Sequence, residues 1–166
     1  HPDYLRMAYE TGITKVALPE FDLCMITEQK NPHHCYTVGE HTLVAMQAVR
    51  ADKVLRLAML FHDMGKPLCV TTDEEGIDHF HGHPSVSEEI AGNVLHRLKF
   101  DNDTIYMVKK LVKYHDQYIE PQPKNVRCAI RKMGEDVFPL LLEVKEADVQ
   151  AQSDFLREKK EKNLKD

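Results

Sequence analysis

Residues Val54-Leu55-Arg56-Leu57-Ala58-Met59-Leu60-Phe61 run almost without polar interruption and then stop at His62-Asp63. A bilayer span needs about 20 apolar residues, so this run is too short to be one. A helix that is apolar nearly all round belongs at the centre of a helical body. Asp52 is placed to cap it, and Gly65 and Pro67 read as its terminators. A carboxylate after Leu60-Phe61 is costly to bury without a partner, and a neighbouring cation removes that cost. The segment therefore predicts a central buried helix that carries an imidazole and a carboxylate into the interior.

The rest of the chain supplies the body. Its 166 residues suit one domain, and 42% hydrophobic with 30% charged residues is the balance of an ordinary globular chain. Helices are predicted over Pro2–Glu10, with Gly12 ending it, and over Val38–Ala51. The next begins at Gly82-His83-Pro84, with Ile90, Val94, Leu95 and Leu98 as its buried stripe. Ile105, Val108, Leu111, Val112 and His115 share one face of a helix capped by Asp101 or Asp103. Two more run from Asn125 to Met133 and from Asp136 through Leu140, Leu141, Val144 and Asp148. Ala17–Phe21 reads as a loop or short helix start, and Asn31–His34 as a turn. Cys69–Thr72 and Ile77–Phe80 flank the acidic turn Asp73–Gly76 and predict a small hairpin. The expected class is all-α, a bundle of six or seven helices with one hairpin. It divides into a lead-in (1–30), a core (31–152) and a charged tail (153–166). The chain starts on His1 within a helix, which reads as a fragment cut from a longer protein.

A net charge of -5 argues against a broad nucleic-acid-binding surface but leaves room for a local phosphate pocket. Cys24, Cys35, Cys69 and Cys128 form no C-x-x-C pair, so reduced thiols in the cytoplasm are expected. No leader or membrane-spanning run is visible, and oligomeric state is not readable.

Ten histidines against no tryptophan is the odd feature of the composition. Besides His62 and Asp63, His41 lies near a helix start, His83 follows a glycine at another, and His115 and Asp148 fall on buried helix faces. Taken singly, each histidine reads more readily as a hydrogen-bonded core residue than as a ligand, Asp148 as a buried cap or ion-pair partner, and Asp63 as a helix-end residue with an ordinary hydrogen bond. Taken together they form a His and carboxylate set without thiolate, suited to Fe, Mn, Ni, Zn or Mg.

His41, His62-Asp63 and Asp148 resemble the H…HD…D signature of the HD superfamily of metal-dependent phosphohydrolases. Several longer segments are similar to the HD region of bacterial CCA-adding tRNA nucleotidyltransferases. They are Asn31–Leu43, Phe61–Pro67, His79–His83 with Ser87, and Ala147–Gln152, with Pro19-Glu20-Phe21 ahead of them. Two positions depart from that pattern: Pro84 stands where an acid is usual, and His81 where an aromatic is common.

The resemblance implies that His41, His62, Asp63 and Asp148 hold one divalent ion. Adding His83 and His115 implies a second, with Asp63 bridging. The implied activity is hydrolysis of phosphomonoesters or phosphodiesters of nucleotides or RNA ends by a metal-activated hydroxide. Lys66 is expected to bind substrate phosphate, with Arg127 and His79 as further candidates. Arg131 and His81 accompany them, but Lys66 reads equally as a solvated lysine at a helix C-terminus, a surface position explains Arg127 and Arg131 more readily, and hairpin packing explains His79 and His81 more readily. The competing expectation is a non-catalytic, metal-stabilised module that helps a parent enzyme hold tRNA. A third is a scaffold with a vestigial ligand set. No sheet for a nucleotidyltransferase carboxylate pair fits in the chain, so nucleotide addition is not expected of it.

Overall fold

The computed structural model describes residues 1–30 and 36–152. The turn expected at Asn31–His34, Cys35 and the charged tail lie outside the described residues. Within them the chain is all-α with one hairpin, as expected. The helices are α1 (Pro2–Glu10), α2 (Thr14–Ala17), α3 (Pro19–Ile26), α4 (Val38–Ala48), α5 (Lys53–Phe61), α6 (Lys66–Cys69), α7 (His83–Arg97), α8 (Asn102–Tyr114), α9 (Pro123–Met133) and α10 (Val137–Gln150). Strand β1 (Thr71–Thr72) pairs antiparallel with β2 (Asp78–His79), placing Thr71 opposite His79. No helix among the described residues is long and apolar enough to cross a membrane.

Helix α5 is the hub. Leu55, Ala58 and Met59 join one apolar cluster with residues of α4, α8, α9 and α10, including Leu111, Met133, Leu141 and Val144. Phe61 joins a second with Phe21, Val38, Leu43, Leu95 and Val108 from α3, α4, α7 and α8. The helix starts where Asp52 accepts hydrogen bonds from the backbone N–H groups of Val54 (2.9 Å) and Leu55 (3.0 Å). These satisfy two of the donors that a helix start leaves open.

Several boundaries differ from the sequence reading. α4 ends at Ala48 rather than Ala51, because Val49 turns extended and buries its side chain. α5 stops at Phe61, and the chain then turns through His62 to Gly65. Pro67 does not end a helix but sits in the first turn of the short α6, where its missing N–H costs nothing. Cys69 consequently belongs to α6, and the strands are shorter than the β-prone runs. Pro123 likewise opens α9 two residues before the expected start. Leu98 lies outside the α7 stripe, 47% exposed.

Two glycines hold layers together by what they lack. A Cβ on Gly39 would come within 2.8 Å of the Met25 backbone, so α3 can lie against the first turn of α4. A Cβ on Gly65 would lie 2.7 Å from Ser87 N and 2.8 Å from His83 O, so the turn after α5 can press onto α7. Ser87 Oγ accepts the Gly65 backbone N–H at 2.8 Å across that contact.

Candidate metal centre

Each of the six candidate ligands reaches one place by a different route. His41 lies one turn into α4, fixed by the Thr37 cap on Glu40 N and by the Arg6–Glu40 ion pair at 2.7 Å that ties α1 to α4. His62 and Asp63 occupy the turn after α5. His83 is the first residue of α7, and left-handed Gly82 (φ +81°) sets its direction. His115 is the C-cap of α8, where Lys145 Nζ donates to its carbonyl at 2.6 Å. Asp148 comes from the last turn of α10. His41, His62, Asp63, His83 and His115 are all buried, and Asp148 is the most exposed of the six at 19% for its side chain.

All four imidazoles are oriented alike. Nδ1 lies against a backbone carbonyl in each: His41 with Ala151 O (3.2 Å), His62 with Met59 O (2.6 Å), His83 with Phe80 O (2.8 Å) and His115 with Val112 O (2.7 Å). A carbonyl only accepts, so this network assigns the proton to Nδ1 and leaves the Nε2 lone pair pointing inward. Those lone pairs meet in two facing pairs. His41 Nε2 is 3.2 Å from His62 Nε2, and His83 Nε2 is 3.2 Å from His115 Nε2. Two acceptors at that distance repel unless a cation or proton stands between them.

Asp63 links the pairs. Its Oδ2 lies 3.3 Å from His62 Nε2 and 3.6 Å from His41 Nε2, while its Oδ1 lies 3.2 Å from His83 Nε2 and 3.6 Å from His115 Nε2. Asp148 Oδ1 adds to the first pair, 2.9 Å from His41 Nε2 and 3.6 Å from His62 Nε2. Two groups of potential ligands result: His41, His62 and Asp63, joined by Asp148, and Asp63, His83 and His115. Carbonyl-anchored imidazoles and a shared carboxylate are the donor chemistry of a two-ion site for divalent metals, so the residues present fit such ions.

Electrostatics agree. Burial acts to raise Asp63, yet His62 and then Lys66 hold its carboxyl well below the usual range. Burial likewise acts to raise Asp148, and its bonds to His41 and His62 depress it. Burial acts to lower His62, but the Asp63 and Asp148 carboxylates push it up to about 10. The pocket thus demands positive charge and takes a proton where no ion supplies it. His115 goes the other way, lowered by burial and by the charge of its imidazole neighbours.

Lys66 is buried rather than solvated. Its ammonium is 2.7 Å from Asp63 Oδ2 and 2.8 Å from Gln29 Oε1, and sits 5.3 Å from the centroid of the Phe80 ring. His79 stands outside this cluster on the hairpin, 2.7 Å from Asp73 Oδ2 and stacked on His81. Arg127 and Arg131 are exposed on α9. The sequence reading missed Gln29 and the four carbonyls. Gln29 lies in an aperiodic loop with no local signal, and carbonyl partners are invisible in side-chain identity.

A helical body that gathers four inward Nε2 atoms around a shared aspartate has the donor set of a domain that could hold divalent metal. More narrowly, the chain belongs to the HD domain family, whose model matches residues 33–150. It is similar to the CC-adding tRNA nucleotidyltransferase of Thermus thermophilus, 35% identical over 150 residues, covering 87% of this chain and 34% of that protein. The A-adding tRNA nucleotidyltransferase of Deinococcus radiodurans is 32% identical over 146 residues, covering 84% of this chain and 33% of that protein. A multifunctional CCA protein of Thioalkalivibrio sulfidiphilus is 29% identical over 166 residues, 92% of this chain and 39% of that one. The chain therefore spans about a third of the length of the relatives it matches.

Proposed function

We propose that this domain is a metal-dependent phosphohydrolase acting on phosphomonoesters or phosphodiesters of nucleotides or RNA ends. The observation that carries the reading is the pair of facing Nε2 couples joined through the two oxygens of Asp63. His41, His62, Asp63 and Asp148 would hold one ion, and Asp63, His83 and His115 a second. Divalent ions at such a site polarise a phosphoryl oxygen and activate water at neutral pH.

The chain's own groups set the rest. The four Nδ1–carbonyl bonds fix the imidazole planes, so the ligands need little reorganisation. Asp63 is assigned the bridging role. Lys66 donates a hydrogen bond to Gln29 and lies in ion-pair contact with Asp63, and an ammonium carries three donors. A remaining donor is assigned to a substrate phosphate oxygen, which makes Lys66 both a charge partner of the carboxylate and an anion ligand. His79, held by Asp73 on the hairpin, and Arg127 are assigned outer contacts to the substrate.

The test is to load the protein with Mn, Ni, Co or Mg and assay a generic phosphate ester, cyclic nucleotides and 2′-nucleotides. Hydrolysis is expected with at least one metal and is expected to vanish in His62→Ala/Asp63→Ala. Activity surviving that double substitution would sink the reading. The similarity to tRNA nucleotidyltransferases favours a second reading, a metal-stabilised module that positions tRNA within a longer protein. Full metal loading without hydrolysis of any of these substrates would select it.

A further inference from the structure

The basic residues of this acidic chain are unevenly placed. Residues 102–133 carry seven lysines and arginines against three acids, a surplus of four in a chain whose net charge is -5. Two of the seven share a single carboxylate, because Lys109 and Lys113 both face Glu88, at 3.8 and 3.0 Å. The others, Lys110, Lys124, Arg127, Arg131 and Lys132, pair with no acid among the described residues. α9 itself, Pro-Lys-Asn-Val-Arg-Cys-Ala-Ile-Arg-Lys-Met, contains no acid at all, and its four cations are all exposed.

Aromatic rings are interleaved with these charges. Lys110 Nζ lies 5.5 Å from the Tyr106 ring centroid and 5.9 Å from that of Tyr114, while Lys132 Nζ approaches Tyr114 at 5.3 Å. Tyr106 is 55% exposed and Tyr118 71%. A groove of about 370 Å³ is lined by Tyr118, Ile119, Asn125, Cys128, Ala129 and Lys132 among others. Its one carboxylate, Glu120, is occupied by Gln122 and Asn125 at 2.8 and 3.0 Å. Tyr114 directly precedes His115, so the chain that carries the aromatic strip outward carries a candidate metal ligand inward one residue later.

We infer that the α8–α9 face binds a single-stranded polynucleotide, its phosphates along the α9 cations and its bases on Tyr118 and Tyr106. Cations that track a backbone, with exposed rings between them, are the chemistry of sequence-tolerant single-strand recognition. The inference deepens the hydrolase reading by naming a strand end as the substrate delivered past His115.

The test is fluorescence anisotropy of a labelled 12-nucleotide RNA with the full chain, from 50 to 200 mM salt, with and without chelator. Binding is expected to weaken with salt. Each lost phosphate contact should reduce the logarithmic slope by about 0.7 for a single strand. Arg127→Glu/Arg131→Glu is expected to weaken binding at least roughly tenfold and to flatten the slope. Lys110→Glu provides a second charge test on a different helix. Tyr118→Ala is expected to weaken binding with the slope unchanged, and Lys15→Glu on α2 to change nothing. Unchanged folding of each variant is checked by circular dichroism. No RNA binding at 50 mM salt, equal binding by the charge-reversed variants, or retention on anionic vesicles or an acidic peptide but not RNA would overturn the inference. RNA binding without hydrolysis would leave it standing while the hydrolase reading fails.

Discussion

At the scale of single residues the proposed centre divides into two half-sites with one shared member, and on that proposal the ligands should be separable by metal content. Asp148→Ala is expected to lose the ion assigned to His41 and His62 and keep the other. His115→Ala should do the reverse, and Asp63→Ala should lose both. Elemental analysis of protein purified without chelator checks this, and equal losses in all three variants would contradict the division. The thiols offer a second test of residue environment. Burial pushes the Cys24 thiol up to about 12, while Cys128 is exposed. Because the thiolate is the reactive form, iodoacetamide at pH 8 should modify Cys128 and leave Cys24 intact until denaturant is added, as read by mass spectrometry.

At the scale of elements, caps and close approaches carry the register on which the ligands depend. Asp52→Ala removes both bonds at the start of α5 and should cost about 1 kcal/mol at neutral pH in urea unfolding. The backbone N–H of Leu55 is the largest influence holding the Asp52 carboxyl below its ordinary value, working against its burial. A depressed folded-state pKa means stabilisation that is present above the unfolded value and lost as pH falls through the folded one. The difference between wild type and Asp52→Ala should therefore shrink as pH drops below the ordinary carboxylate range. Gly65→Ala drives a methyl into the α7 backbone. Overpacking of this kind costs about 1–3 kcal/mol. Because the displaced backbone is that of His83 and Ser87, the variant should also lose the ion assigned to His83 and His115.

At the scale of the whole molecule, the proposed ion binding would be linked to folding. The ligands come from α4, the α5–α6 turn, α7, α8 and α10, so the unfolded chain has no site to offer. A ligand that binds only the folded state stabilises it by about 2.7 kcal/mol at a free concentration 100 times its Kd. Thermal unfolding should accordingly shift upward with Mn, Ni or Co and downward with chelator, whereas in Asp63→Ala neither addition should move it.

Much of this was legible one element at a time. Apolar periodicity exposed the central α5 and the buried faces of α8 and α10. Asp52 was readable as a cap, whereas the choice between Asp101 and Asp103 fell to the structure, in which Asp101 accepts the backbone N–H of Thr104. The side chains able to bind a cation were identifiable by type, because such facts are fixed within a few residues of chain. Other features were decided only by folding. Ala151 O turns His41 Nε2 inward from 110 residues away, and Lys66 is drawn out of solvent onto Asp63 and Gln29. The division of six candidate ligands into two groups, and the meeting of Lys110 and Lys132 at the Tyr114 ring, arise in the same way. The physical reason is separation along the chain: propensity and periodicity act over one or two helical turns, whereas a lone pair acquires a direction, and a buried charge a partner, only when distant segments meet.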